Sequence, residues 1–274
     1  MPLSTKDIKP EATNLFLFVG PADSGKSYAA TSFGLKTKGH GIPKQPDGDD
    51  PRPCYLLELD NRIAALRNRP VEYDTFTNEE GAIGVLKRLM AVREHCVKYK
   101  AAPFHTLILD SATSLGDMAV ADSMDTKDSA GRKIGELKLL TVEDYGYEAE
   151  TWRQVLWENL IDIKRYANVI VTAHETKQYR EVKGPPGSPT KSVWDGEYKL
   201  LMHGTKIADK LPTKFDEVYH FMAKEVVVAQ KNIRRSVVFQ DNLARTSFEK
   251  LAKDTSRYDI SGKEFYPYWR ELLG

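Results

Sequence analysis

The sequence predicts a mainly parallel, doubly wound α/β fold with helices on both faces and an antiparallel extension near the C-terminus. Three observations carry this. Short continuous apolar runs at 15–20, 54–59, 104–109 and 168–172 have the unbroken hydrophobicity of strands covered on both faces. Stretches of helical period fall between them, the alternation expected of a parallel sheet. Two β-branched or aromatic runs, Glu217 to Ala223 and Arg234 to Gln240, follow late in the chain and read as neighbouring strands.

Taken in order, residues 1–12 are a polar tail, and a single domain is expected over 13–260, with a second tail at 261–274. Leu15 to Gly20 is the first strand and Ser27 to Leu35 a helix. Residues 36–53, rich in Gly, Pro, Lys and Asp, read as a loop. Cys54 to Leu59 is the second strand, with Cys54 a buried small residue, and Val71 to Phe76 a short third. Residues 79–99 carry Ile83, Leu86, Leu89, Met90 and Val97 at the spacing of an amphipathic helix. Phe104 to Leu109 is a buried strand ending in Asp110. Residues 123–141 are polar and irregular. Residues 143–166 are helical, with Trp152, Val155, Leu156, Leu160 and Ile163 on one side. Asn168 to Thr172 is a further strand. The Gly/Pro-rich stretch from there to about residue 210 is expected to be irregular.

Composition bounds the function weakly. The formal charge of +1 supplies no global field toward nucleic acid or membrane, so any such contact needs a local patch. The two cysteines, Cys54 and Cys96, form neither a disulfide framework nor a four-ligand zinc site. No signal-like N-terminus and no long apolar stretch are present, so a cytoplasmic location is expected (that of a bacterial host if the chain is phage-encoded).

The chemistry concentrates at strand ends. The first strand runs into Gly20-Pro21-Ala22-Asp23-Ser24-Gly25-Lys26-Ser27-Tyr28, a Gly-x-x-x-x-Gly-Lys-Ser phosphate loop between strand and helix. Backbone N–H groups of such a loop turn inward around phosphate oxygens. Lys26 reaches the β- and γ-phosphates, and the Ser27 hydroxyl suits Mg²⁺. ATP and Mg²⁺ are the expected ligands. Asp110, delivered by an apolar strand downstream, is the expected metal-side carboxylate; a helix cap is its bland alternative. Hydrolysis also needs a group to orient water. Glu58 and Asp60 end the second strand, and one of them is expected to face the nucleotide while the other points away.

These residues carry a resemblance. The phosphate loop resembles the Gly-Pro-Glu-Ser-Ser-Gly-Lys-Thr loop of RecA. Cys54 to Asp60 is similar to the RecA strand ending Asp-Ala-Glu, with Asp60 in the position of the water-activating Glu and Glu58 in that of the Asp. Asn168 to Glu175 resembles the strand ending in a phosphate-sensing Gln, with His174 at that position. With Phe215 to Phe221, the chain looks like phage RecA-like, AAA-type P-loop ATPases that act in single-strand annealing and recombination. The resemblance implies catalytic roles for Lys26, Asp60 and His174. It also implies assembly into a ring or filament and association with other phage replication or recombination proteins. Asp60 is one methylene shorter than the family Glu. Lys253 and Arg257 lie where a neighbouring subunit's cations would originate, at a spacing that departs from the family's Lys-x-Arg.

Segment 176–214 holds twice as many basic as acidic residues, with aromatics interspersed. Lys177, Arg180 and Lys183 suit phosphates and Tyr179 and Trp194 suit unpaired bases, so single-stranded DNA is the expected partner. Lys127, Arg132, Lys133 and Lys138 form a second basic stretch. The leading expectation is a Mg²⁺-dependent ATPase that binds single-stranded DNA as an oligomer. A hexameric helicase or translocase motor and an ATP-gated assembly module with little turnover are the alternatives.

Overall fold

The computed structural model describes residues 14–34, 54–67, 69, 71–77, 79–128, 142–182, 191–228, 231–239 and 258–259. Its centre is β1 (Leu15–Val19), whose five residues are all buried. A strand lies parallel to it on each side, β5 (Asn168–Ala173) and β8 (Glu217–Val228). Outward from β5 come β4 (Thr106–Asp110), β2 (Cys54–Glu58) and the half-exposed edge strand β3 (Val71–Thr75), all parallel. The uninterrupted hydrophobicity of Leu-Phe-Leu-Phe-Val, Thr-Leu-Ile-Leu-Asp and Asn-Val-Ile-Val-Thr-Ala follows from this placement, because both faces of these strands are covered. β9 (Lys231–Phe239) pairs antiparallel with β8, and β10 (Tyr258–Asp259) with β9, which gives the antiparallel extension.

The two faces carry separate cores. On one, α1 (Lys26–Thr31) and the turn Ser32–Gly34 cover an aromatic cluster of Phe16, Phe18, Phe33, Tyr219 and Phe221. The other and larger core is covered by α2 (Gly81–Tyr99), α3 (Ala112–Asp128) and α4 (Val142–Arg153). α4 widens into a π-helical stretch, Gln154–Leu160, and ends in α5 (Ile161–Ile163). Trp152, Val155, Leu156, Leu160 and Ile163 are all buried there, as their spacing predicts.

Three sequence expectations need correction. First, α2 buries Ala82, Val85, Leu89, Val92 and Cys96, not the whole predicted stripe; Ile83, Met90 and Val97 are about half exposed. The buried set steps by three and four residues, while the exposed set steps by seven and lies one position around the helix. Apolar residues on both arcs left the choice of edge to packing. Second, residues 123–128 belong to α3, since no breaker interrupts the chain before Gly131. Third, the stretch after β5 is not irregular. β6 (Glu175–Val182) and β7 (Lys191–Leu200) pair as a separate two-stranded antiparallel sheet. The Gly/Pro cluster 184–189 lies outside the described residues. After β7 comes α6 (Thr205–Lys210), then the turn Leu211–Lys214 leading into β8.

Candidate nucleotide site

The C-terminal ends of β1, β2, β4 and β5 meet in a cavity of about 260 Å³. Residues 23–28 of the phosphate loop line it, with Glu58, Asp60, Arg62, Ala65, Leu66, Asp110 and His174. The loop needs glycine at both fixed positions. A Cβ on Gly20 would sit 2.2 Å from the carbonyl oxygen of Phe221, and Gly25 has φ +93°.

Lys26 is buried, and its Nζ donates to the carbonyls of Gly20 (2.7 Å) and Pro21 (2.8 Å). Burial lowers its pKa to about 8, although the carboxylates of Asp110, Asp60 and Glu175 pull the other way. Asp110 is also buried, and burial pushes its carboxyl up against hydrogen bonds from Ser27 and Thr172. Ser27, Asp110 and Thr172 thus form a compact set of oxygens at the foot of the loop. An all-oxygen set containing a carboxylate and a hydroxyl fits a hard divalent cation such as Mg²⁺.

Glu58 and Asp60 both line the cavity, against the expectation that one would point away; strand residues two apart share a face, so alternation itself places them together. β2 ends at Glu58, and Leu59 N–H still donates to the Asp110 carbonyl at 2.7 Å before the chain turns through Asn61 at φ +55°. Asp60, two residues on, therefore stays on the side that Glu58 faces. Their surroundings differ. Asp60 Oδ1 accepts from Ser111 (2.9 Å) and Ser114, and Oδ2 lies 3.4 Å from His174 Nε2. Burial alone would raise the Asp60 pKa, but these bonds outweigh it and hold it at about 2. Glu58 is 2 % exposed and is the register partner of Asp110 across β2 and β4. Its Oε1 accepts from the Arg62 N–H at 2.5 Å, while Oε2 has no hydrogen-bond partner among the described residues. Burial pushes its carboxyl up, and the charges of Asp110 and Asp60 add to this.

His174 closes the far wall. Its backbone N–H donates to Thr113 Oγ1 at 3.0 Å, tying the end of β5 to the start of α3. The next residue, Glu175, opens β6 and pairs with His220, which is fully buried on β8. Tyr198 packs its ring edge-on against His220 at 4.9 Å, so the base of the β6–β7 hairpin is fixed to the main sheet. Farther out, Tyr179 and Trp194 are cross-strand partners, 56 % and 42 % exposed. Lys177 Nζ lies 4.9 Å from the Trp194 ring centroid. Arg180 is on β6, opposite Val193. Lys183, Arg132, Lys133, Lys138, Lys253 and Arg257 lie outside the described residues, and Lys127 falls in the last turn of α3.

Sequence reasoning passed over Arg62, Thr172, Ser114 and the segment Ile63–Leu66. A hydroxyl inside an otherwise apolar strand was the available signal for Thr172. None existed for Arg62, which reaches the cavity through the turn after β2. No described helix is long and apolar enough to cross a membrane.

Residues 13–247 match the model of a family described as an AAA domain. No curated protein matches the chain. The chain belongs to that AAA-domain family of nucleotide-dependent P-loop ATPases.

Proposed function

We propose that this protein is a Mg²⁺-dependent ATPase that binds single-stranded DNA as an oligomer, in the recombination or strand-annealing setting its RecA resemblance implies. The observation that carries this is the convergence of Lys26, Ser27, Asp110, Glu58 and His174 on one cavity at the strand ends. Lys26 meets the β- and γ-phosphates. Ser27 and Asp110 would hold Mg²⁺, which when bound neutralises phosphate charge. Glu58 orients the attacking water through Oε2, the oxygen with no partner among the described residues. Asp60, whose oxygens are engaged by Ser111, Ser114 and His174, positions His174 and leaves the water to Glu58. His174 meets the terminal phosphate and passes its presence to β6, which begins at the next residue. DNA contact falls to the hairpin, supported by the exposed Tyr179–Trp194 pair and Lys177 beside it.

The test is ATP turnover and single-strand binding measured together across a salt series. Single-stranded DNA stimulates turnover. Trp194→Ala lowers DNA affinity about tenfold with little change in salt slope, since stacking releases few counterions. Lys177→Ala makes the slope shallower. No binding at low salt, with or without ATP, would favour the assembly-module alternative.

A further inference from the structure

We infer that Arg62 is a catalytic cation supplied by the chain itself: its guanidinium moves from the rim of the cavity onto the terminal phosphate in the transition state. The inference rests on the ATPase reading above.

Arg62 lines the cavity that holds Lys26, Asp110 and His174. Its backbone is held firmly. The N–H donates to Glu58 Oε1 at 2.5 Å, and the residue leads into the short turn Ile63–Leu66. Farther along the same segment, the Arg69 guanidinium lies 3.4 Å from the Tyr28 ring centroid, clasping the segment to α1. The Arg62 side chain is held loosely by comparison. Its ion pair is with Asp23 of the phosphate loop, at 3.5 Å, with the two side chains 56 % and 68 % exposed. A pair this exposed contributes little and exchanges readily. A fixed backbone carrying a weakly held, five-donor head at the mouth of a phosphate site suits an arginine that engages charge as it develops.

In the reaction the water oxygen bonds to the γ-phosphorus. The bond from phosphorus to the β–γ bridging oxygen breaks, and its electron pair leaves with ADP. One water proton stays on the released phosphate and the other goes to bulk water. Negative charge grows on the bridging oxygen and the equatorial oxygens during transfer, and those are the atoms Arg62 meets. The end of β2 and the turn after it thus do two jobs: Glu58 faces the water and Arg62 faces the phosphoryl group.

The experiment compares wild type, Arg62→Ala and Arg62→Lys in three measurements: turnover at saturating Mg·ATP, affinity for a non-hydrolysable fluorescent ATP analogue, and affinity for ADP with aluminium fluoride as a transition-state mimic. For Arg62→Ala the expected results are a loss of turnover of about 100-fold or more, analogue affinity within a few-fold of wild type, and a large loss of mimic affinity. Arg62→Lys recovers only part, because an ammonium lacks the planar fork. Wild-type turnover per chain should also be unchanged on dilution. Full turnover and mimic binding in Arg62→Ala overturn the inference. So does equal loss of analogue and mimic in a variant that keeps the wild-type melting temperature, which would mean ground-state binding. If Arg62→Ala does not fold, Arg62→Gln is judged by the same criteria. Turnover that rises with protein concentration assigns the cation to a neighbouring chain. A wild type that binds no analogue at all defeats the nucleotide reading instead, and is distinguishable because it appears before any variant is made.

Discussion

The ends of β1, β4 and β5 and the β6–β7 hairpin are both β-structure, yet they solve opposite problems. At the strand ends, the strand residues are buried and the key charges are held by neighbours, Asp110 by Thr172 and Lys26 by two carbonyls. The hairpin is covered only at its base, by the His220–Glu175 pair and Tyr198, and exposes Tyr179, Val182, Val193 and Trp194 beyond. Chemistry that needs fixed charges is served by the first arrangement and recognition of a flexible chain by the second. His174 and Glu175 are consecutive residues: the first lines the cavity and the second opens the hairpin.

The largest effect that sharpens this contrast is expected from Lys26→Ala. It removes the ammonium that would meet the β- and γ-phosphates, so turnover should fall by about 1,000-fold or more. Nucleotide-free DNA binding by the hairpin should stay within about twofold. The paired measurement is phosphate release and single-strand binding on the same preparation. Wild-type turnover would break the nucleotide-site assignment, and a parallel loss of DNA binding would mean that the two regions are not separable.

Smaller effects should divide the two acids at the end of β2 and just beyond it. Glu58→Gln keeps nucleotide affinity and slows turnover by about 100-fold, because the amide presents an N–H₂ or a weaker acceptor to the water. Asp60→Asn cannot accept from Ser111, Ser114 and His174 in the same way. It should cost about tenfold in turnover, within the range for loss of a positioning contact, and abolish stimulation by single-stranded DNA. Steady-state kinetics with and without DNA separate these outcomes. Equal defects in the two variants would return the water to Asp60.

Much of this was legible in the chain, for identifiable reasons. The parallel strands are covered on both faces, so their apolar runs stand out whatever packs on them, and the phosphate loop is a local motif whose glycines are dictated by backbone geometry. What was not legible depends on the third dimension. That Glu58 and Asp60 differ in their partners, Arg62 N–H for one and Ser111, Ser114 and His174 for the other, follows from what packs around each, which their shared strand face cannot foretell. The face of α2 was misjudged because Ile83, Met90 and Val97 are as apolar as the residues that are buried. The β6–β7 pairing was hidden by its composition, since Lys, Gln, Tyr, Arg and Glu on a two-stranded sheet lack the apolar stripe that marks a strand against a core. Arg62 enters the site only because the turn folds back over the phosphate loop.

The smallest expected effect is also the most direct probe of burial at the strand ends. Lys26 has a pKa lowered to about 8 by burial, so between about pH 8 and its ordinary value near 10.5 the nucleotide-free folded protein carries fewer protons there than the unfolded chain. The sign follows: holding that ammonium in the folded state costs stability, fully so below about pH 8, and the cost is relieved as pH rises toward 10.5. A polyphosphate placed against Nζ favours the charged form and raises the pKa again. ATP binding near pH 8.5 should therefore take up a fraction of a proton, and the uptake should vanish near pH 6.5, where Lys26 is already charged. Calorimetric titration in buffers of different ionisation enthalpy measures this directly. Lys26→Met should abolish the uptake if residual binding can be followed. Single-stranded DNA binding to the nucleotide-free protein should show no matching uptake at pH 8.5, because Lys177, Tyr179 and Trp194 do not line the cavity that holds the ammonium. Equal proton uptake for both ligands would mean that the two regions share their electrostatics and are not the independent devices their burial suggests.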